Sequence, residues 1–205
     1  GNDHVVGCSS NTSKACIGSS VFDGENNNPY LIVTGAMNGI GSPSSYSSRG
    51  SNVWVASFGG EFGDDYPAMV TADRTGCVLG YSKTSATTNS FESGASSENV
   101  GCNYTTTFNG TSSAAPIASG AIALLLEANP SLSWRDVKYV LAKSARVINR
   151  VNISHPLSLG LPGSMVFDYG NQTNAAGFKY NNATGFGLID VDAAVALARN
   201  SYVSK

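Results

Sequence analysis

Charge is scarce in this chain. Only 13% of its 205 residues are Asp, Glu, Lys or Arg, and the net charge is −2. No Lys/Arg cluster occurs, which excludes a phosphate-binding face and sets nucleic acid aside as a partner. Histidine is rarer still, at His4 and His155. The four cysteines, Cys8, Cys16, Cys77 and Cys102, show no C-x-x-C spacing, which excludes a zinc site of that type. They fall into two local groups. Several pairings are open, nearest neighbour with nearest neighbour is the simplest, and paired cysteines favour an oxidising compartment. No signal peptide and no apolar run long enough for a bilayer is expected, so no membrane partner is read here, and a targeting segment for export would lie outside these residues. The absence of G-x-S-x-G disfavours an α/β-hydrolase.

What remains is rich in Ser, Thr, Asn and, with 23 residues, Gly. That composition suits a loop-laden secreted protein, and the length suits one sizeable domain or part of a larger one. The opening Gly1-Asn2 has no leading element and reads as a start inside a larger protein. Residues 1–29 read as a polar loop. Residues 30–37 ("YLIVTGAM") are an apolar, β-branched run expected to form a strand buried on both faces. Residues 53–57 and 68–72 read as further short strands, and residues 73–110 as an irregular stretch held by Cys77 and Cys102. A helix is expected over residues 111–128, ending before Pro130. Ser133 and Asp136 have capping-box spacing ahead of Trp134, Val137 and Leu141, placed on one face. Residues 146–180 look irregular, and a closing helix is capped by Asp190 or Asp192. Strands alternating with helices predict an α/β domain, three-layered, with a mainly parallel sheet flanked by helices.

The helix at 111–128 is apolar almost all round and is therefore expected to lie in the middle of a large core. It begins at "NGTSSAAP". Small polar residues there are ordinary caps. A serine in the first turn of a rigid helix also meets the needs of a nucleophile, which are a fixed hydroxyl and a nearby backbone N–H for an oxyanion. Gly110 lets a substrate backbone approach, and Ala114 and Ala115 leave room.

"NGTSSAAPIASGAIALLLEANPSLSWRDVKYVLAKSA" followed by "GFGLIDVDAAVALA" resembles the subtilase superfamily of serine endopeptidases, in its kexin and proprotein-convertase-like branch. The resemblance implies a subtilisin-like fold of which residues 1–205 are the C-terminal portion of one catalytic domain. It implies that Ser112, directly after Gly-Thr, is the nucleophile, and that Ser113 is not. It matches Gly1-Asn2 to a Gly-Asn pair whose amide side chain completes the oxyanion hole. Gly1, Gly110 and Thr111 would then line the substrate. In "DGENNNPYLIV", the spacing of Asp23, Asn27 and Tyr30 matches kexin-like relatives in which the Asp lies in the S1 pocket. A buried Asp23 is therefore expected to favour Lys or Arg before the cleaved bond.

A subtilase also needs an Asp and a His, and neither Asp-Ser/Thr-Gly nor His-Gly-Thr occurs here. The base and its orienting acid are therefore expected upstream, on a segment cut off or carried by another chain, and that segment is the implied partner beside a peptide substrate. The chemistry needs no cofactor. The resemblance allows structural calcium in the complete protein, although the serine-rich "SYSSRG" loop lacks the family's carboxylates there. "GEFGDD", with Glu61, Asp64 and Asp65, reads as a solvated loop. Sequons at Asn11, Asn103, Asn109, Asn152, Asn171 and Asn182 matter only in a glycosylating host, and a glycan on Asn109 would block Ser112. Two rivals stand: a sedolisin-type acid peptidase, which also uses G-T-S-x-x-x-P, and an inert subtilase-like binding domain.

Overall fold

Two strands lying side by side in the same direction form the floor on which the helices sit. In the computed structural model these are β3 (Val33–Met37) and β4 (Val53–Phe58), parallel and in register from Thr34 opposite Val55 to Met37 opposite Phe58. Ahead of them runs a small antiparallel ribbon, β1 (Val6–Gly7) with β2 (Ala15–Cys16). After them come β5 (Met69–Ala72) and β6 (Tyr104–Phe108), antiparallel, then α1 (Thr111–Ala128) and α2 (Trp134–Ser144). A short hairpin of β7 (Gln172–Thr173) and β8 (Lys179–Tyr180) precedes α3 (Val191–Arg199). The structure describes residues 1–3, 6–7, 15–16, 18–63, 66–149 and 170–200, with backbone alone for 6–7 and 15–16. The expected Cys8–Cys16 pairing and the readings of His4, His155, Asp64 and Asp65 lie outside the described residues.

The architecture is α/β with helices packed on a parallel pair, as the pattern predicts. Leu188 extends it by bridging Ala56 in parallel and Arg146 in antiparallel fashion. α1 packs on β3, β4 and α3, and α2 packs on β4 and α3. Val55, Leu125, Val140, Leu141, Ala194 and Ala198 close the space between them. α2 starts with the expected capping box: Ser133 N donates to Asp136 Oδ2 at 2.8 Å, and Asp136 N donates to Ser133 Oγ at 3.3 Å. Asp190, not Asp192, is the cap of α3. Trp134 stays partly exposed on α2 and meets the Tyr30 ring edge-on at 4.8 Å instead of joining Val137 and Leu141 inside.

Several expectations need correction. β3 begins at Val33 and not at Tyr30, because Asn28 makes a turn: its Oδ1 accepts from Tyr30 N and its carbonyl accepts from Leu31 N. β6 lies inside a stretch read as irregular, since Tyr-Thr-Thr-Thr-Phe has no apolar alternation and buries only Thr105. The β7–β8 hairpin likewise sits in an expected loop. Most consequentially, α1 is not enclosed. Ser113, Ala114, Ala118, Ala121 and Leu125 form its buried stripe, while Ile117, Leu124 and Leu126 are 38%, 48% and 40% exposed. Among the described residues nothing covers that outer side. α1 also has the length and composition of a membrane-crossing helix, contrary to the expectation that no such run occurs. Its seat on β3, β4 and α3 is that of a core helix in an α/β layer.

The long excursion between β5 and β6 has its own anchor. The Cys77–Cys102 disulfide joins its ends across a Cα separation of 5.0 Å. Inside it, the Glu92 carboxylate is buried and accepts four hydrogen bonds, from Ser82 Oγ (2.6 Å), Thr105 Oγ1 (3.1 Å), Thr106 N (2.6 Å) and Thr106 Oγ1 (2.7 Å). Burial pushes its pKa up, but the hydrogen bonds outweigh burial and hold it below the ordinary 4.5. A carboxylate depressed on folding adds stability that is fully present above its unfolded value and is lost as pH falls through the folded one. Glu92→Gln in the intact protein is therefore expected to cost about 1–3 kcal/mol at neutral pH, by leaving donors unmatched. Thermal unfolding as a function of pH should show the gap to wild type closing below pH 4.5. A gap that stays constant down to the acid limit would contradict this role.

Candidate active site

The turn from β6 into α1 is made at Gly110, whose φ of 96° is a left-handed conformation that a side chain disfavours. It throws Ser112 onto the outside of the first helical turn, exposed, while Ser113 points inward and is buried. Ser113 N donates back to Gly110 O at 3.0 Å and fixes the turn. The two adjacent serines thus differ, Ser112 facing outward and Ser113 inward.

Asn2 arrives at the same turn from the far end of the chain. Its Oδ1 accepts from Thr111 N at 2.9 Å and from Thr111 Oγ1 at 2.8 Å. With the oxygen committed to Thr111, the amide nitrogen lies over Gly110. A Cβ placed on Gly110 would stand 3.1 Å from Asn2 Nδ2 and 3.5 Å from Ser112 N. Two N–H donors, one from a side chain and one from a helix N-terminus, therefore converge beside the serine, with the positive end of the helix dipole behind them.

The supports of this pair come from residues 44–48, a serine-rich segment whose role the sequence did not disclose. Tyr46 Oη accepts from Gly110 N at 2.8 Å and donates toward Gly59 O (2.7 Å) and Gly60 O (2.8 Å). Its ring is buried against Ala36 and Ala114. Burial raises the phenol above its ordinary value of 10, so it remains a donor at any neutral pH. Ser48 N donates to Gly1 O at 2.9 Å, and Ser48 Oγ accepts from Asp3 N at 3.0 Å, bracketing Asn2. Ser44 Oγ donates to Gly60 O, and Ser47 Oγ accepts from Ala36 N. Glu61 corrects another expectation. It is buried, not solvated, and its carboxylate accepts from Ser45 N (2.7 Å) and Ser45 Oγ (2.9 Å), while its carbonyl accepts from Asn109 Nδ2. A lone aromatic amid serines was the only available signal for this cradle.

A cleft of about 650 Å³ opens in front of Ser112, with Asn2 on its rim and β6 as a wall through Thr105, Thr107 and Phe108. Asp73 and Arg74 line its far side. Asp23 is not at the floor of this cleft. It is exposed, in a turn where its carboxylate accepts from Glu25 N (3.1 Å) and Asn26 Nδ2 (2.8 Å). That corrects the expectation of a buried carboxylate, since the turn holds it at the surface. Among the described residues, no three His, Cys, Asp or Glu side chains converge as metal ligands.

This combination, a serine on the first turn of a helix beside an asparagine amide and a left-handed glycine, sits at the edge of an α/β scaffold. The chain belongs to the subtilase family, whose model matches residues 1–187. It is 41% identical over 201 residues to the Aeromonas extracellular serine protease of Aeromonas sobria, covering 96% of this chain and 32% of that protein. The crystal structure of the serine protease of Aeromonas sobria superposes with a TM-score of 0.85 at 37% identity, covering 100% of this chain and 36% of that one. Human proprotein convertase subtilisin/kexin type 5 is 44% identical over 86 residues, covering 42% of this chain and 4% of that protein. The chain thus spans about a third of the length of the two Aeromonas proteins.

Placing a side chain at Gly110 tests the turn directly. Gly110→Ala is expected to cost about 1–3 kcal/mol of stability through its positive φ, and to lower turnover of the intact protease by pressing on Asn2 Nδ2. Thermal unfolding beside steady-state assays measures both, and an alanine variant with wild-type stability and rate would refute the geometry.

Proposed function

We propose that the chain carries the nucleophile, the oxyanion hole and part of the substrate cleft of a secreted serine endopeptidase. The observation that supports this most strongly is the convergence of Asn2 Nδ2 and Ser112 N beside an exposed Ser112 hydroxyl. In this reading Ser112 Oγ attacks the carbonyl carbon of a peptide and forms an acyl-enzyme with release of the amine product. The oxygen of the tetrahedral intermediate accepts from Asn2 Nδ2 and Ser112 N. Water then attacks the ester and frees the acid product and the serine.

The hydroxyl's proton must go to a base, and the base belongs to the rest of the catalytic domain. Neither His-Gly-Thr nor Asp-Ser/Thr-Gly is present in these residues. That segment is the chain's proposed structural partner, and the uncovered side of α1, with Ile117, Leu124 and Leu126, is the surface left for it. The 205 residues alone are accordingly expected to show no peptidase turnover. An extracellular or otherwise oxidising location agrees with the Cys77–Cys102 disulfide and with the name of the Aeromonas sobria relative.

Asp23 is assigned to substrate selection. Its carboxylate makes two hydrogen bonds at the surface, with Glu25 N and Asn26 Nδ2, and keeps lone pairs free for a Lys or Arg side chain that binding would desolvate. Gly1, Gly110 and Thr111 supply the backbone around the scissile bond. Structural calcium, where the complete protein has it, would sit away from residues 44–48, whose hydroxyls are spent on the cradle.

Two measurements test this reading. A fluorophosphonate should label the intact protease on Ser112 alone, and Ser112→Ala should lower kcat by roughly 10⁴–10⁶-fold. Labelling elsewhere, or turnover surviving the substitution, would overturn the assignment, and an unreactive Ser112 would favour an inert binding domain. Asp23→Asn should reduce kcat/KM for peptides with Lys or Arg before the cleaved bond by about tenfold, with little change for neutral residues there. Equal effects on both would remove Asp23 from the specificity pocket.

A further inference from the structure

We infer that residues 44–48 act as a gauge that sets the distance between the two oxyanion donors, with Tyr46 as the positioning residue on the serine side and Ser48 on the asparagine side. The inference rests on the proposed catalytic reading and adds residues that take no part in it directly. Within these five residues, one side chain reaches each half of the hole. Tyr46 Oη holds Gly110 N at 2.8 Å, two residues before Ser112. Ser48 holds the residues on either side of Asn2, through Gly1 O at 2.9 Å and Asp3 N at 3.0 Å. The two halves are 109 residues apart in the chain and meet directly at Asn2 and Thr111.

The gauge is itself rigid. Tyr46 Oη reaches Gly59 O and Gly60 O at the end of β4, Ser44 Oγ reaches Gly60 O at 2.8 Å, and Ser47 Oγ accepts from Ala36 N of β3 at 2.9 Å. Ser45 is held by the buried Glu61 carboxylate. The backbone segments that carry the two donors are therefore tied to the parallel strand pair, in addition to the direct bonds from Thr111 to Asn2. A hole pre-set in this way stabilises the negative oxygen without reorganising when it forms. Gly110 gives the gauge its point of contact. Its φ of 96° is a conformation the chain leaves easily, and the Tyr46 bond is what holds its N–H inward.

A positioning role has a signature that general destabilisation lacks. Tyr46→Phe keeps the ring against Ala36, Ala114 and Phe62 and removes only the hydroxyl. In the intact protease, normalised to active sites by fluorophosphonate titration, this variant should lose kcat roughly 10- to 100-fold with KM within about twofold. Affinity for a peptide boronate, which forms the tetrahedral adduct, should fall in parallel, while affinity for an uncleaved peptide should not. Ser48→Ala should behave alike but more weakly. In an Asn2→Ala background the Tyr46→Phe effect should shrink, because only one donor is left to space. Ser133→Ala, which removes the cap of α2 outside the cleft, serves as a destabilised control whose kcat per titrated site stays unchanged.

Unchanged kcat and boronate affinity in both Tyr46→Phe and Ser48→Ala would overturn the gauge, as would kcat and KM effects that add fully with Asn2→Ala. If Tyr46→Phe fails to fold, Ser48→Ala and its combination with Asn2→Ala decide the matter alone. If Ser112→Ala retains turnover, the catalytic reading itself falls. If Ser112 is essential and both gauge variants are wild type, only the gauge falls.

Discussion

Everything at this site depends on the closure of Asn2 onto Thr111. A side-chain oxygen from the second residue accepts from the amide and the hydroxyl of residue 111, at 2.9 and 2.8 Å. Those two bonds do more than tie the chain's beginning to α1. By consuming the oxygen end of the Asn2 amide they fix which end faces the serine, and only the nitrogen end can stabilise negative charge. In the proposed reading, a bond that closes the structure also orients the donor that the chemistry needs. Gly110 makes the close approach achievable, since a side chain there would crowd the Asn2 nitrogen and strain a φ of 96°.

The energetic logic runs outward from that contact. The β3–β4 pair is the stiff element, and the polar groups around it are satisfied by neighbours instead of water. Ser57 Oγ donates to Ala114 O on α1 at 2.5 Å, Tyr46 joins the end of β4 to Gly110, and Asn109 Nδ2 reaches Glu61 O. Short polar side chains do this well because serine loses little rotamer freedom on ordering. A serine-rich sequence that looks like a flexible loop is here a dense set of side chain-to-backbone bonds. The same device recurs at Glu92, where hydroxyls and an amide surround one buried carboxylate and organise the excursion closed by Cys77 and Cys102.

Much of this was legible in the sequence, and the parts that were not share a cause. The bounds of α1 and the Ser133–Asp136 box follow from patterns that are local in the chain, whereas the choice of Ser112 over Ser113 rested on the family resemblance. The family resemblance implied that Asn2 lies beside Ser112, but the bonds from Thr111 to Asn2 were not foreseen, because no local signal joins residues 109 positions apart. Tyr46, Ser48 and Glu61 were missed for that same reason: each acts through a partner distant in sequence, and serine spacing carries no periodic signal. The error over α1 was of another kind. Apolar composition on every side was read as burial on every side, whereas burial requires a neighbour, and among the described residues Ile117, Leu124 and Leu126 stay 38%, 48% and 40% exposed. Asp23 is a second case of expected burial. The resemblance put its carboxylate in a buried S1 pocket, whereas the structure holds it at the surface in a turn.

The most direct test is a crystal structure of the intact protease with a peptide boronate bound. The account predicts a covalent bond from Ser112 Oγ to boron, with one boron-bound oxygen accepting hydrogen bonds from both Asn2 Nδ2 and Ser112 N at about 2.7–3.1 Å. A boronate attached to another residue, or one whose oxygen faces away from Asn2 while Asn2 Oδ1 still rests on Thr111, would contradict it.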